Sequence, residues 1–112
     1  MPNSLLSNLK IGTKGPYWLN VPYFEELTTN GTNWTCATDI NLETVGTQIV
    51  IKAPNDFTNG VRLTFGKGDT IPIICNAGGL AANCYKKNNL LHLCLAEFIK
   101  ATETVKKWVI LN

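Results

Sequence analysis

The chain has 112 residues, a formal net charge of +2, and a hydrophobic fraction of 45%. This length predicts one domain with a thin core. Its small net charge argues against nucleic-acid binding, and so does the distribution of its lysines, which form no basic stripe. Charged residues make up only 16% of the chain. Such a composition suits packing against other chains better than it suits an isolated soluble enzyme.

The apolar runs, the N-terminus and the cysteines indicate the compartment in which the chain is made. No apolar run approaches the ~18 residues of a membrane-spanning helix, and the N-terminus lacks the features of a signal peptide. We therefore expect no membrane span and synthesis in a cytoplasm. Four cysteines could form two disulfides, but that origin favours buried free thiols. They are Cys36, Cys75, Cys84 and Cys94. Without a Cys-x-x-Cys pair, they predict no metal site.

Residues 1–27 differ in character from the rest of the chain. Pro2, Pro16 and Pro22 fall within this stretch, and repeated proline disfavours a long helix or a central strand. We predict an irregular arm over 1–27 that docks on a neighbouring subunit or covers one open end of the core. Deleting it should then leave the domain of residues 28–112 folded.

Short candidate strands separated by turns follow this segment. Alternation of apolar and polar residues over 61–65 is the pattern of a half-buried strand, with Val61, Leu63 and Phe65 facing the core. Pro72 assigns its own strand to an edge or a bulge. The candidate strands before the Gly-rich loop are Trp34–Leu42, Thr47–Lys52, Val61–Phe65 and Thr70–Cys75.

The most apolar run is Leu90–Phe98, with a weaker candidate strand at Leu80–Tyr85 before it. Apolar residues on both faces of the run indicate a central strand or a face covered by a partner. A helix is an alternative, but a short polar turn and the strand-like Val105–Leu111 favour a hairpin. The chain is thus predicted to be all-β, a small antiparallel β-sandwich or flattened barrel with an irregular N-terminal arm.

The order of these elements resembles a module of tailed-bacteriophage tail fibres, head fibres and related virion appendages. The matching pieces are Gly46–Lys52, Asn55–Gly60, Val61–Phe65, Ile71–Ile73, Gly78–Leu80, Leu90–Leu95 and Trp108–Leu111. The match spans roughly the last two-thirds of the chain. It departs from the module at Asn88-Asn89 and at 101–104, where such modules often carry glycine, and residues 1–45 have no counterpart.

This resemblance implies a non-enzymatic virion structural protein of a tailed phage, with no cofactor. It would be a short fibre, decoration or adaptor subunit, made in the host cytoplasm and assembled into the particle. Its partners would be capsid or tail proteins and further copies of itself, as a homo-oligomer for which the family implies a trimer.

Two other functions remain as alternatives. A small hydrolase would depend on His92 as its base. Cys94 stands two residues away on the same strand face, with roughly 6–7 Å between the Cβ atoms, which is too far for a direct hydrogen bond between nucleophile and base. We predict no catalytic site. A carbohydrate-binding module would recognise a host-surface glycan by stacking aromatic rings on sugars, although packing in a core or an interface is the commoner role of such rings. The candidate docking or glycan-stacking aromatics are Tyr17, Trp18, Tyr23 and Trp34.

Overall fold

The computed structural model describes residues 5–11, 19–40, 42–75 and 82–112. These residues form strands and one 3-10 helix, which confirms the all-β class. The strands are β1 Leu5–Ile11, β2 Leu19–Phe24, β3 Leu27–Asn30, β4 Asn33–Cys36, β5 Gln48–Lys52, β6 Arg62–Phe65, β7 Thr70–Cys75, β8 Leu90–Lys100 and β9 Glu103–Ile110. The 3-10 helix is Ala82–Cys84. Over the same ranges, no helix has the length and apolar character needed to cross a bilayer.

The strands form one sheet in the order β1-β2-β5-β8-β9-β7-β6-β4-β3, and this sheet nearly closes into a barrel. Most neighbours are antiparallel, including the predicted β8–β9 hairpin. The pairs β2–β5, β4–β6 and β7–β9 are parallel, so the sheet is mixed. Each parallel pair is joined by a connection that carries at least one further strand. Alternation along a strand reports which face is buried but not which strand lies alongside, so the sequence did not reveal these pairs.

One face of β6 and one face of β8 fill the core, whereas β5 is buried on both faces through Ile49, Val50 and Ile51. Val61, Leu63 and Phe65 are 1–6% exposed, as their alternation predicts. Strand β8 lies between β5 and β9, and its buried residues are Leu91, Leu93 and Leu95. The predicted central position of this strand is therefore confirmed, and the helix alternative is wrong.

A row of aromatic rings crosses the core and fixes the loops above it. Trp34 meets Phe57 edge-on at 6.1 Å between ring centroids, and Phe57 meets Tyr85 at 6.0 Å. Trp34 Nε1 donates a hydrogen bond to Asn55 Oδ1 at 2.9 Å, and the Tyr85 hydroxyl donates to the carbonyl of Asn112 at 2.8 Å. The polar ends of these buried rings are thus satisfied, as burial requires.

The N-terminal segment is more regular than the prolines predict. Two strands, β1 and β2, occupy part of residues 1–27, and β2 pairs with β5 through Tyr23 and Phe24. Pro22 precedes these two residues, so its missing N–H removes no bond of that ladder. Phe24 is fully buried and packs edge-on against Phe65 at 4.8 Å. Deleting residues 1–27 would remove this core ring, and whether residues 28–112 stay folded without it remains a prediction.

Three local predictions change in extent. Strand β4 ends at Cys36, well before the predicted Leu42. Residues 82–84 form a 3-10 helix where Leu80–Tyr85 predicts a strand, and residues 80 and 81 lie outside the described residues. Pro72 sits where β7 changes partner, since Thr70–Pro72 pairs with β6 and Ile73–Cys75 pairs with β9. Strand β7 is therefore not at an edge of the sheet, as Pro72 predicts, but lies between β9 and β6, and the proline stands where the strand changes partner.

Replacing Leu93 by alanine should lower the free energy of unfolding by about 2–5 kcal/mol, because it removes fully buried methyl groups and leaves a cavity. Leu90 lies on the same strand but is 42% exposed, so Leu90→Ala is the matched control and should cost under about 1 kcal/mol. Urea unfolding followed by tryptophan fluorescence measures both changes. Equal losses would contradict this assignment of the core face.

Candidate functional site

The far half of the β8–β9 hairpin extends beyond the rest of the sheet. Strand β5 pairs with β8 only through Leu90–Cys94, and β7 pairs with β9 only from Trp108 onward. Among the residues that the structure describes, 96–107 therefore have only one another as strand partners, and we call them the distal hairpin. A long two-stranded ribbon with two free edges is marginal in water, so this part of the chain is suited to contact with something else.

The distal hairpin carries unusual apolar exposure. Phe98 is 37% exposed, Val105 is 38% exposed, and Ile99 is 79% exposed. Phe98 and Val105 are directly opposite in the ladder, so they form one apolar pair on the same face. The Lys107 ammonium lies 5.3 Å from the Phe98 ring centroid, within cation–π range. Ile99 points to the opposite face of the hairpin, because successive side chains of a strand alternate. Apolar side chains exposed on both faces of one hairpin are typical of an interaction surface.

A two-residue turn, Ala101–Thr102, joins the two strands of this hairpin. Ala101 adopts φ +56°, which is a left-handed conformation that favours glycine. The sequence predicts a turn over 101–104, but Glu103 and Thr104 already belong to β9. The strand edge is consequently longer than the sequence indicates.

An open groove of about 800 Å³ runs beside the free edge of β9. One wall is the start of β7, Asp69–Pro72, and the other is the stretch Glu103–Lys107 of β9. The groove exists because β7 pairs with β6 at this level and with β9 only from Ile73 onward, so no strand within the described ranges pairs with β9 on that side. Backbone groups along an unpaired edge are available to another strand.

A second, polar cleft of about 480 Å³ lies where the 37–45 loop meets the β6–β7 turn. It mixes both charges, with Asp39, Glu43, Lys67 and Lys106 on its walls. The Lys106 ammonium donates to the carbonyl of Glu43 at 2.7 Å, which anchors the base of the distal hairpin to this loop. No pattern in the sequence joins these four residues, because they come from distant segments.

Gly66 makes the close approach of the cleft walls possible. Its φ is +50°, and a Cβ built on it would lie 2.7 Å from Asp39 Cα. Its N–H donates to the carbonyl of Cys36 at 2.9 Å. A larger residue would be strained and would push the loop away from the turn.

His92 lies in a polar pair on the outer face of β8. Its Nε2 is 2.8 Å from Gln48 Oε1, and burial lowers the pKa of the imidazole. Cys94 is half-buried, and its thiol is 3.9 Å from the carbonyl of Leu95. A thiol nucleophile of the Cys–His type needs the imidazole in contact with it, whereas the His92 imidazole contacts the side-chain amide of Gln48. The pair is typical of a structural histidine.

The cysteines are all free, as predicted, but their burial differs from the prediction. Only Cys36 is buried, whereas Cys75 and Cys94 are half-buried and Cys84 is exposed. Burial and the nearby Cys84 raise the pKa of Cys75. A raised pKa disfavours the thiolate that nucleophilic chemistry requires.

The predicted glycan-stacking aromatics do not form one surface. Trp34 is fully buried, so its ring faces are occupied by the core. Tyr23 is half-buried, and burial together with the hydrogen-bonded Glu25 raises the pKa of its hydroxyl. Tyr17 and Trp18 lie outside the described residues. Within the described ranges, only Tyr23 of the four therefore offers any ring surface to a sugar.

Metal ligation and similarity to other proteins add no further site. Among the described residues, no three His, Cys, Asp or Glu side chains are grouped so that they could hold a metal ion. Comparisons with family models, curated proteins and solved structures gave no match to this chain. The distal hairpin and its groove are thus the candidate functional site on geometry alone.

The stability of the fold should fall as the pH drops below about 6.5, the ordinary pKa of histidine. Because burial lowers the pKa of folded His92, protons bind the unfolded chain more tightly, and the contribution of neutral His92 is complete only above this pH. The variant His92→Gln should show a smaller loss between pH 7.5 and 5.5 in urea unfolding. Identical pH profiles for the two proteins would contradict this role.

Replacing Ala101 by glycine should stabilise the distal hairpin by up to about 1 kcal/mol, because it relieves the positive φ. Thr102, the other turn residue, has no positive φ, so Thr102→Gly is the matched control and should be neutral or destabilising. Hydrogen exchange of the amides of β8 and β9 measures the effect. Equal protection in the two variants would argue against strain at Ala101.

Proposed function

We propose that this chain is a non-enzymatic structural protein of a tailed-phage virion that acts as a homo-oligomer. In the particle it serves as a short fibre, decoration or adaptor subunit and contacts capsid or tail proteins. The observation that carries the proposal is the distal hairpin, with its exposed Phe98, Ile99 and Val105. Phe98 and Val105 share one face and Ile99 lies on the other, and apolar side chains exposed in this way are suited to burial against another chain.

The order of strands supports the same role. The Leu-rich strand, polar turn and closing Trp-containing strand of the phage-appendage pattern correspond to β8, the Ala101–Thr102 turn and β9. They are also the strands that build the candidate site. The phage assignment rests on this resemblance, and the assembly role rests on the exposed hairpin.

The carbohydrate-binding and hydrolase alternatives gain less from the geometry. A sugar platform would have to do without Trp34, because that ring is buried. A hydrolase would have to use an imidazole that is paired with Gln48. Neither alternative explains why three apolar side chains are exposed on one hairpin.

The proposal predicts that the full chain is present in purified, density-banded particles of the phage that encodes it, in a fixed copy number per particle. Quantitative mass spectrometry of the particles measures this number, and native mass spectrometry of the isolated chain measures its oligomeric state. A specific glycan-array signal without association with particles would instead favour the carbohydrate-binding alternative. Absence from particles would refute the virion role.

A further inference from the structure

We propose that the free edge of β9 pairs with the same edge of a second copy, antiparallel about a two-fold axis at Val105. This inference deepens the proposed function, on which it rests, by naming the strand through which two copies meet. It commits to an isologous contact, in which the same residues are used by both partners. The argument comes from the backbone, the charges and the apolar residues of the distal hairpin.

Pro72 leaves this edge unpaired. Successive N–H groups of a strand point to opposite sides. The N–H of Ile73 donates to the carbonyl of Val61, on the β6 side, at 2.9 Å. The nitrogens of Pro72 and Ile74 therefore face β9. Ile74 continues the parallel ladder with β9, but Pro72 has no N–H to donate. The ladder stops there, and none of the described strands pairs with β9 on that side before Trp108.

The backbone of β9 presents the correct groups for a new strand. Leu95 exchanges hydrogen bonds with Gly46 and Thr47 on the β5 side, so its pair with Trp108 is a non-hydrogen-bonded one. Such pairs alternate along an antiparallel ladder. The Glu97–Lys106 and Ile99–Thr104 pairs are therefore also non-hydrogen-bonded. The N–H and C=O groups of Thr104 and Lys106 consequently point away from β8, toward the groove.

Antiparallel self-pairing about Val105 matches these groups. It sets Thr104 of one copy opposite Lys106 of the other, and both residues have outward-facing N–H and C=O groups. Each such pair can exchange two N–H···O=C bonds, and the two-fold axis generates the pair twice. Moving the axis by one residue, to Thr104, sets Glu103 opposite Val105 and loses the charge match described next.

The charges of the edge are complementary in this register. Glu103 of each copy stands opposite Lys107 of the other, and the two-fold axis creates this pair twice. Opposite charges directly across two strands stabilise the pairing, whereas like charges destabilise it. Glu103 and Lys107 lie on the same face of β9 because they are four residues apart.

The apolar residues also become contiguous. Val105 meets Val105 of the second copy at a non-hydrogen-bonded position, where Cα atoms are only about 4.5 Å apart. Phe98 lies opposite Val105 within each copy. The four side chains would form one apolar row across two hairpins. This row gives a physical reason for the exposure of Phe98 and Val105 in a single chain.

The contact predicts a dimer as the smallest assembly, since an isologous contact closes at two copies. The phage-appendage resemblance implies a trimer, so the two expectations differ in a measurable way. Both can be tested on the full chain without knowledge of its other partners.

The decisive test is a charge exchange. In E103K homodimers lysine would face lysine, and in K107E homodimers glutamate would face glutamate. Each variant should weaken the dimer by roughly tenfold in Kd. An equimolar mixture restores two opposite-charge pairs per dimer and should recover most of the lost affinity as a heterodimer; E103K keeps a like charge opposite Lys100 of its own hairpin, so recovery is not complete. Sedimentation equilibrium measures the affinities, and nitrogen-15 labelling of one variant lets native mass spectrometry separate heterodimer from homodimer.

Two further variants control the test. Lys86 is exposed and precedes the start of β8, at the opposite end of that strand from the residues that pair with 103–107, so K86E makes the same charge change as K107E and should leave the dimer intact. Thr104→Pro removes an N–H that faces the groove but no bond to β8, so it should abolish dimerisation. Its thermal unfolding midpoint should stay close to that of the wild type, because an outward-facing proline is tolerated on an edge strand.

The outcomes separate this inference from the function on which it rests. A monomer at every concentration, a trimer as the smallest assembly, or a mixture without recovery would each overturn β9 self-pairing. Unchanged dimerisation in Thr104→Pro would overturn it as well. None of these results removes the chain from phage particles, which particle composition tests separately. Recovery in the mixture with no chain in particles would retain the contact and refute the virion role.

Discussion

The architecture depends on one strand that serves two partners. The first half of β7 pairs with β6, and its second half pairs with β9. This change joins the two parts of the sheet into a single curved surface and lets them enclose one core. Pro72 stands at the change because a residue without an N–H can end one ladder while its neighbour continues another. The groove beside β9 is a direct consequence.

Inside the sheet, large side chains hold segments that are distant in the sequence. Trp34, Phe57 and Tyr85 come from β4, from the loop after β5, and from the segment before β8, yet their rings form a continuous row. Phe24 extends this packing from the N-terminal segment to Phe65. A core of this size contains few large side chains, so each ring contributes to the position of several loops. The regular part of the N-terminal segment is for this reason integral to the fold.

The distal hairpin has an exposed strand edge whose charges limit how it can pair. A long free edge with exposed apolar residues invites uncontrolled strand pairing. The lysines and glutamates along it restrict which register is favourable, since like charges oppose each other in the wrong ones. On this view the charges of 103–107 select one partner, and the apolar pair of Phe98 and Val105 supplies contact area. The cation–π contact of Lys107 holds one of these charges beside the ring.

The sequence by itself determined the all-β class, the inward face of β6, the central position of β8, and the β8–β9 hairpin. These follow from local alternation, which depends only on the period-two geometry of a strand. It did not determine the parallel pairs, the two strands within residues 1–27, or the burial of Trp34. Those depend on which distant segments meet, and the alternation of residues along a strand does not identify the strands beside it. The free edge of β9 was likewise decided by tertiary structure, because an edge exists only where the strand alongside turns away.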